Sequence, residues 1–219
     1  MSKKPFVVCS VAILFILCMM GCSGQDRQYG FTPVLENLTW GMSKEEVISN
    51  LSLTNSNTQV VEDQQSSAYL IIRLNEQMKR YEQLASVNLL ITSDKESADS
   101  SCPADALSAI VYQYENADLP ELRASMEKEL GKASSDKTTD NIEVLVWKSK
   151  DKIADLPKSE REELIKYCSN YSNSGQALLP KNKSAMNKIT LTITDSQNAV
   201  VTYYGDWCVY VNRLNHRTN

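Results

Sequence analysis

The chain has 219 residues, 42% of them hydrophobic, and carries 23 basic against 27 acidic side chains, a formal net charge of −4. That acidic balance argues against nucleic acid, which selects a basic face, and against a polybasic grip on anionic lipid. The single histidine, His216, stands near the C-terminus, which excludes Ser-His-Asp and Cys-His catalytic arrangements and most zinc sites in one step.

Residues 1–21 differ from the rest. Met1-Ser2-Lys3-Lys4 supplies two positive charges, and Phe6–Met20 then runs 15 residues without a charge. A basic start, a short apolar run and small residues after it form the pattern of a secretory signal. A helix that crosses hydrocarbon needs about 20 such residues. The run ends in Met19-Met20-Gly21-Cys22-Ser23, which resembles the lipobox of bacterial lipoproteins, with Met19 where Leu is usual. The resemblance implies cleavage before Cys22, acyl chains on its thiol, and display outside the cytoplasm, anchored to a membrane of the bacterial envelope. Two or three chains on one residue anchor stably where a single chain binds marginally. Losing Lys3 and Lys4 with the signal leaves 21 basic side chains and a net charge of −6.

Residues 22–33 then read as the lipidated cysteine and a polar, Gly/Pro-punctuated tether. Residues 34–213 read as a single domain and 214–219 as a frayed tail. Three helix starts carry capping signatures: Ser43 with Glu46, Asp118 with Glu121, and Ser159 with Glu162. The second helix repeats Leu122, Met126 and Leu130 before Gly131. The third places Leu164, Ile165, Cys168 and Tyr171 on one face. Period-two alternation predicts strands over 68–74, 87–92, 107–114, 142–147, 189–194, 199–204 and 207–211. Segments 52–67, 93–105 and 178–187 read as polar loops. Clean alternation means one packed face and one wet face, as in antiparallel sheets. The expected fold is therefore α+β, with amphipathic helices packed on one face of a mostly antiparallel sheet.

Leu38-Thr39-Trp40-Gly41-Met42-Ser43-Lys44-Glu45-Glu46-Val47 resembles the Gly-Met helix start of small outer-membrane-assembly lipoproteins and of β-lactamase-inhibitor-protein-like domains. The resemblance implies helices laid on an antiparallel sheet and work by binding other proteins. It covers about ten residues, and no family binding residue transfers outside it.

No constellation for chemistry stands out. Ser-x-x-Lys occurs at Ser125–Lys128, Ser134–Lys137 and Ser149–Lys152 without its partner motifs, and the seven glycines form no phosphate-cradling loop. Asp94–Asp99 lacks the Gly and terminal Glu of a calcium loop. No cofactor and no metal site are expected. Of the cysteines left beside the lipidated one, Cys102 in a polar loop, Cys168 and Cys208, either Cys168 and Cys208 form one disulfide or all three are free, mostly buried thiols. Trp40 and Trp147 read as core. Tyr203, Tyr204, Trp207 and Tyr210 form an aromatic run that, on strands, exposes some rings as interface anchors. The expected function is a non-enzymatic adaptor that binds a protein or an envelope component. The alternatives are a small-ligand-sensing or solute-binding lipoprotein, and behind it an envelope enzyme of unfamiliar type.

Overall fold

The computed structural model describes residues 28–62, 69–93, 103–170 and 180–217. The signal segment, Cys22, Cys102, Tyr171 and the acidic run at 94–99 lie outside the described residues. Within them the fold is α+β, as the alternation and the capping signatures predict.

Nine strands form one sheet: β1 (Thr58–Glu62), β2 (Tyr69–Leu74), β3 (Met78–Arg80), β4 (Gln83–Thr92), β5 (Leu107–Tyr114), β6 (Ser135–Thr139), β7 (Ile142–Lys148), β8 (Lys188–Ile193) and β9 (Ala199–Tyr204). Their order is β1-β2-β4-β5-β9-β8-β7-β6, with β3 added to β4, and every pairing is antiparallel. Register puts Ile72, Leu89, Ile110, Tyr203, Ile189 and Trp147 on one face, and all six are buried. On the other face Ile71, Leu90, Val111, Val200, Thr190, Thr192 and Val146 are half-buried. A residue slip would exchange the two sets, so the register is strongly specified.

The helices are α1 (Lys44–Asn50), α2 (Leu119–Leu130), α3 (Lys158–Asn170) and α4 (Trp207–Arg217). The capping box of α1 forms as predicted: the Glu46 carboxylate accepts from Ser43 N at 2.6 Å, and Ser43 Oγ accepts from Glu46 N at 3.2 Å. The Asp118 carboxylate caps α2 by accepting from Glu121 N at 3.0 Å. Leu122 and Met126 are fully buried, and Arg123 spans to Asp136 on β6 and Glu143 on β7. Both carboxylates belong to the buried face, so α2 lies there. The third helix starts earlier than its predicted cap, at Lys158 instead of after Ser159. Its buried stripe is Leu164, Tyr167 and Cys168, while Ile165 is exposed.

Three further expectations are corrected. The predicted strand at 207–211 is the start of α4, whose Cys208, Val209, Tyr210 and Val211 are all buried. A five-residue apolar run has no period of its own, and here the packing of Tyr167 and Trp40 around it selects the helix. The helix continues to Arg217, so the predicted tail is mostly helical, His216 included. The tether shortens, because residues 29–31 dock on the domain. Gly30 N donates to Asp151 Oδ2 at 2.9 Å, and Phe31 exchanges two bonds with the Asn187 amide, at 2.8 and 2.7 Å. Trp40 Nε1 donates to Phe31 O at 2.7 Å, and Cys208 Sγ to Tyr29 O at 3.2 Å. Gly30 permits this approach: it has φ 75°, and a Cβ there would meet Asn187 Oδ1 at 2.5 Å.

Candidate functional site

Two clusters of polar and charged side chains stand out in this frame. The first is buried. Between β3 and β4 the register Arg80↔Gln83 leaves a two-residue turn, Tyr81-Glu82, with both φ angles positive at 52° and 63°. Such turns favour Asn, Asp and Gly. The neighbouring hairpin between β6 and β7 uses Asp140-Asn141 at the equivalent positions. Tyr81 holds its position by other means: its ring is buried, and its hydroxyl lies 2.5 Å from that of Tyr203. Arg80 reaches the Tyr203 hydroxyl at 3.3 Å and pairs with Glu129, with its guanidinium 4.3 Å over the Tyr81 ring. Tyr112 packs edge-on against Tyr203 at 5.8 Å.

Burial holds the hydroxyls of Tyr203, Tyr112, Tyr114 and Tyr81 above the usual phenol range, so all four are neutral. Burial also opposes the charge on Arg80, and Tyr203, Tyr81 and Glu129 outweigh it. This cluster ties the β3–β4 hairpin and α2 to the sheet, with Tyr81 and Tyr203 buried and the Arg80–Glu129 pair at its partly exposed rim.

The second cluster is open. A cavity of about 480 Å³ lies where β7 leaves the sheet, β8 enters it and β9 turns into α4. Its wall carries five lysines, Lys148, Lys152, Lys181, Lys183 and Lys188. Ser149, Ser184 and Asn187 supply neutral polar groups, and Asp206 is the one carboxylate in the wall. Lys148 and Lys188 are cross-strand partners on the open face of the sheet. Lys188 Nζ stands 4.6 Å over the Tyr204 ring and 3.8 Å from Asp206 Oδ2.

The scaffold under the lysines is firmly bonded. Segment 181–187 is sewn to segment 149–154 by Ser149 N→Asn187 O at 2.9 Å, Met186 N→Asp151 O at 2.9 Å, Ile153 N→Ser184 O at 3.0 Å and Ala154 N→Asn182 O at 3.1 Å. Ser149 Oγ adds a bond to Asp151 O at 3.1 Å, and Asn187 is 1% exposed. The polypeptide is fixed while the ammonium groups reach outward from it.

Asp206 is the anomalous member. It sits at φ 38°, outside the usual range for a residue with a Cβ, and its side chain is two-thirds buried. Burial raises its carboxyl above the ordinary range, and Lys188 pulls it only partly back. Strain and desolvation at one residue are more common at functional sites than in plain scaffolding.

The predicted aromatic patch is not an exposed surface. Tyr203 belongs to the tyrosine cluster at 2% exposure, and Tyr210 is buried against Tyr167 with ring centroids 5.7 Å apart. Trp207 is half-buried and packs on Tyr210. Tyr204 alone borders the lysine cavity, through Lys188. Cys168 and Cys208 are buried thiols with no disulfide between them. Burial pushes the Cys208 thiol up to about 12, which makes it a poor nucleophile. Trp40 and Trp147 are core, at 2% exposure each.

The lysines escaped the sequence reading because they come from three separate segments. A local signal was present, since Lys148-Ser149-Lys150-Asp151-Lys152 and Lys181-Asn182-Lys183 each alternate lysine in an acidic chain. Among the described residues no group of His, Cys, Asp and Glu is placed to hold a metal ion, and no helix is long and apolar enough to cross a membrane. Comparison with protein-family models, with curated proteins and with solved structures found no match.

Proposed function

We propose that the chain is a lipid-anchored, non-enzymatic binding module of the bacterial envelope, and that its lysine cavity takes an anionic envelope component. The observation that carries this reading is the convergence of five lysines and three neutral polar groups around one carboxylate, in a chain whose net charge is negative. Charge of one sign focused in a concave site raises the local concentration of the opposite charge. Ammonium groups on flexible stems are point charges that adapt to phosphate or carboxylate without demanding bidentate geometry. The lipobox-like Met19-Met20-Gly21-Cys22 supports the anchor and the extracytoplasmic placement.

The test is calorimetric titration of the protein with inorganic polyphosphate at low and high salt. Binding that weakens steeply with salt and is lost in Lys152→Ala/Lys181→Ala/Lys183→Ala supports the cavity. Equal binding by the triple variant, or none by the parent, sinks it. Palmitate labelling that survives Cys22→Ala would remove the anchor from the reading.

A further inference from the structure

We infer that the cavity faces the membrane that holds the anchor and that its occupant is the phosphate of an anionic phospholipid headgroup in that same leaflet. This rests on the reading that Cys22 carries lipid, and it names the ligand of the cavity proposed above. Three observations converge on it.

The first is where the chain enters the domain. Phe31 is bonded to both ends of the Asn187 amide, and Asn187 lines the cavity. Gly30 is bonded to Asp151, one residue from the cavity lysine Lys152. The anchor segment and the lysines therefore share a wall.

The second is reach. Six residues, and so seven Cα-to-Cα steps, lie between Cys22 and Tyr29, whose carbonyl accepts from the Cys208 thiol. At full extension they span at most about 25 Å. The docked end of the domain cannot leave the headgroup region by more than that, while the opposite end of the sheet is free to point away.

The third is charge. The chain as a whole is acidic and should be held off an anionic surface. A screening length of about 8 Å at physiological salt makes the local face decide instead. The local face carries five ammonium groups against Asp206. The expectation drawn from net charge weighs a sum, whereas a surface responds to its nearest part. Of the neutral groups in the wall, the Ser184 hydroxyl, which accepts from Lys181 N, suits a phosphate as a donor, while Ser149 and Asn187 are spent on Asp151 and Phe31.

The experiment uses the mature chain from Ser23 onward, made without lipid, which retains every described residue. It is floated with vesicles of phosphatidylcholine alone and of phosphatidylcholine mixed with phosphatidylglycerol. The expected result is binding to the mixed vesicles only, falling about 100-fold in Lys152→Ala/Lys181→Ala/Lys183→Ala, at roughly fivefold per lysine. Lys128→Ala/Lys132→Ala/Lys137→Ala removes the same charge outside the cavity and is expected to retain most of the binding. Equal losses in the two triple variants would overturn the assignment to the cavity. Cavity-dependent binding of soluble polyphosphate without binding to mixed vesicles would overturn the headgroup and leave the anion site standing. Binding to neither would overturn both.

Discussion

Among the described residues two places set a cation against a tyrosine ring, and they differ in what is left over. At Arg80 the guanidinium stacks 4.3 Å over Tyr81, meets Tyr203 and pairs with Glu129 at the rim of a largely buried tyrosine cluster. At Lys188 the ammonium stands 4.6 Å over Tyr204 and 3.8 Å from Asp206, in a wall that holds four more lysines. In the first case the fold itself supplies the neutralising groups. In the second it supplies one carboxylate for five ammonium groups. Around Arg80 the cation is matched by groups of the fold, whereas around Lys188 the ammonium groups outnumber the carboxylates of the wall. Tyrosine beside a cation does not distinguish the two, but the charge balance around it does.

The comparison can be broken most strongly at Gly30. Gly30→Ala forces a Cβ onto Asn187 and Cys208 at a left-handed φ, and is expected to cost about 3 kcal/mol. Limited proteolysis should then release residues 23–31 early while the sheet stays intact. Protection equal to the parent would show that the cavity wall does not depend on the docked segment. Next in size is Arg80→Met, expected to cost about 2 kcal/mol in urea unfolding while leaving polyphosphate affinity unchanged. A loss of affinity would mean that the tyrosine cluster and the open cavity are coupled.

The smallest effect is the most diagnostic. Asp206→Asn keeps the shape and a residue type that tolerates its φ while removing the buried charge. Because the folded chain holds this proton more tightly than the unfolded chain, stability at the site falls as pH rises through the carboxylate range. The variant should therefore melt above the parent, by more at about pH 7 than at about pH 4, and should bind anions more tightly once Lys188 is released. A lower melting temperature at both pH values would make Asp206 a structural partner of Lys188 rather than a restraint on the site.

Much of the fold was legible. Leu107–Tyr114 and Ala199–Tyr204 match their predicted bounds, because each alternates in a sheet with one packed face. The caps at Ser43 and Asp118 were legible because capping is local chemistry. Strand β6, Ser-Asp-Lys-Thr-Thr, was not, since an edge strand exposed along nearly its whole length has no apolar partner to pattern against. Strand β1 falls in the polar segment 52–67, where two adjacent valines give no alternation. The Trp207–Val211 run fits either period, and its helix is decided by tertiary neighbours. Of the site, only Tyr204 had been singled out as a binding residue. Ser149 and Lys152 show in the sequence only as an isolated Ser-x-x-Lys spacing, and the cavity exists only after separate segments meet.

The two outer strands have a consequence for crowding. Among the described residues β1 and β6 end the sheet, with no further strand beside either. Chains tied to one leaflet meet far more often than chains in free solution, so an open margin invites stacking into a continuous ribbon. Asp136 and Lys137 project to opposite sides of β6, and both are exposed. A second copy sliding in alongside would have to strip water from one charge on each side. Strand β1 offers only five residues, with Val60 as its exposed apolar side chain. On the proposed anchoring, the charged margin of β6 opposes edge-to-edge pairing between neighbouring copies.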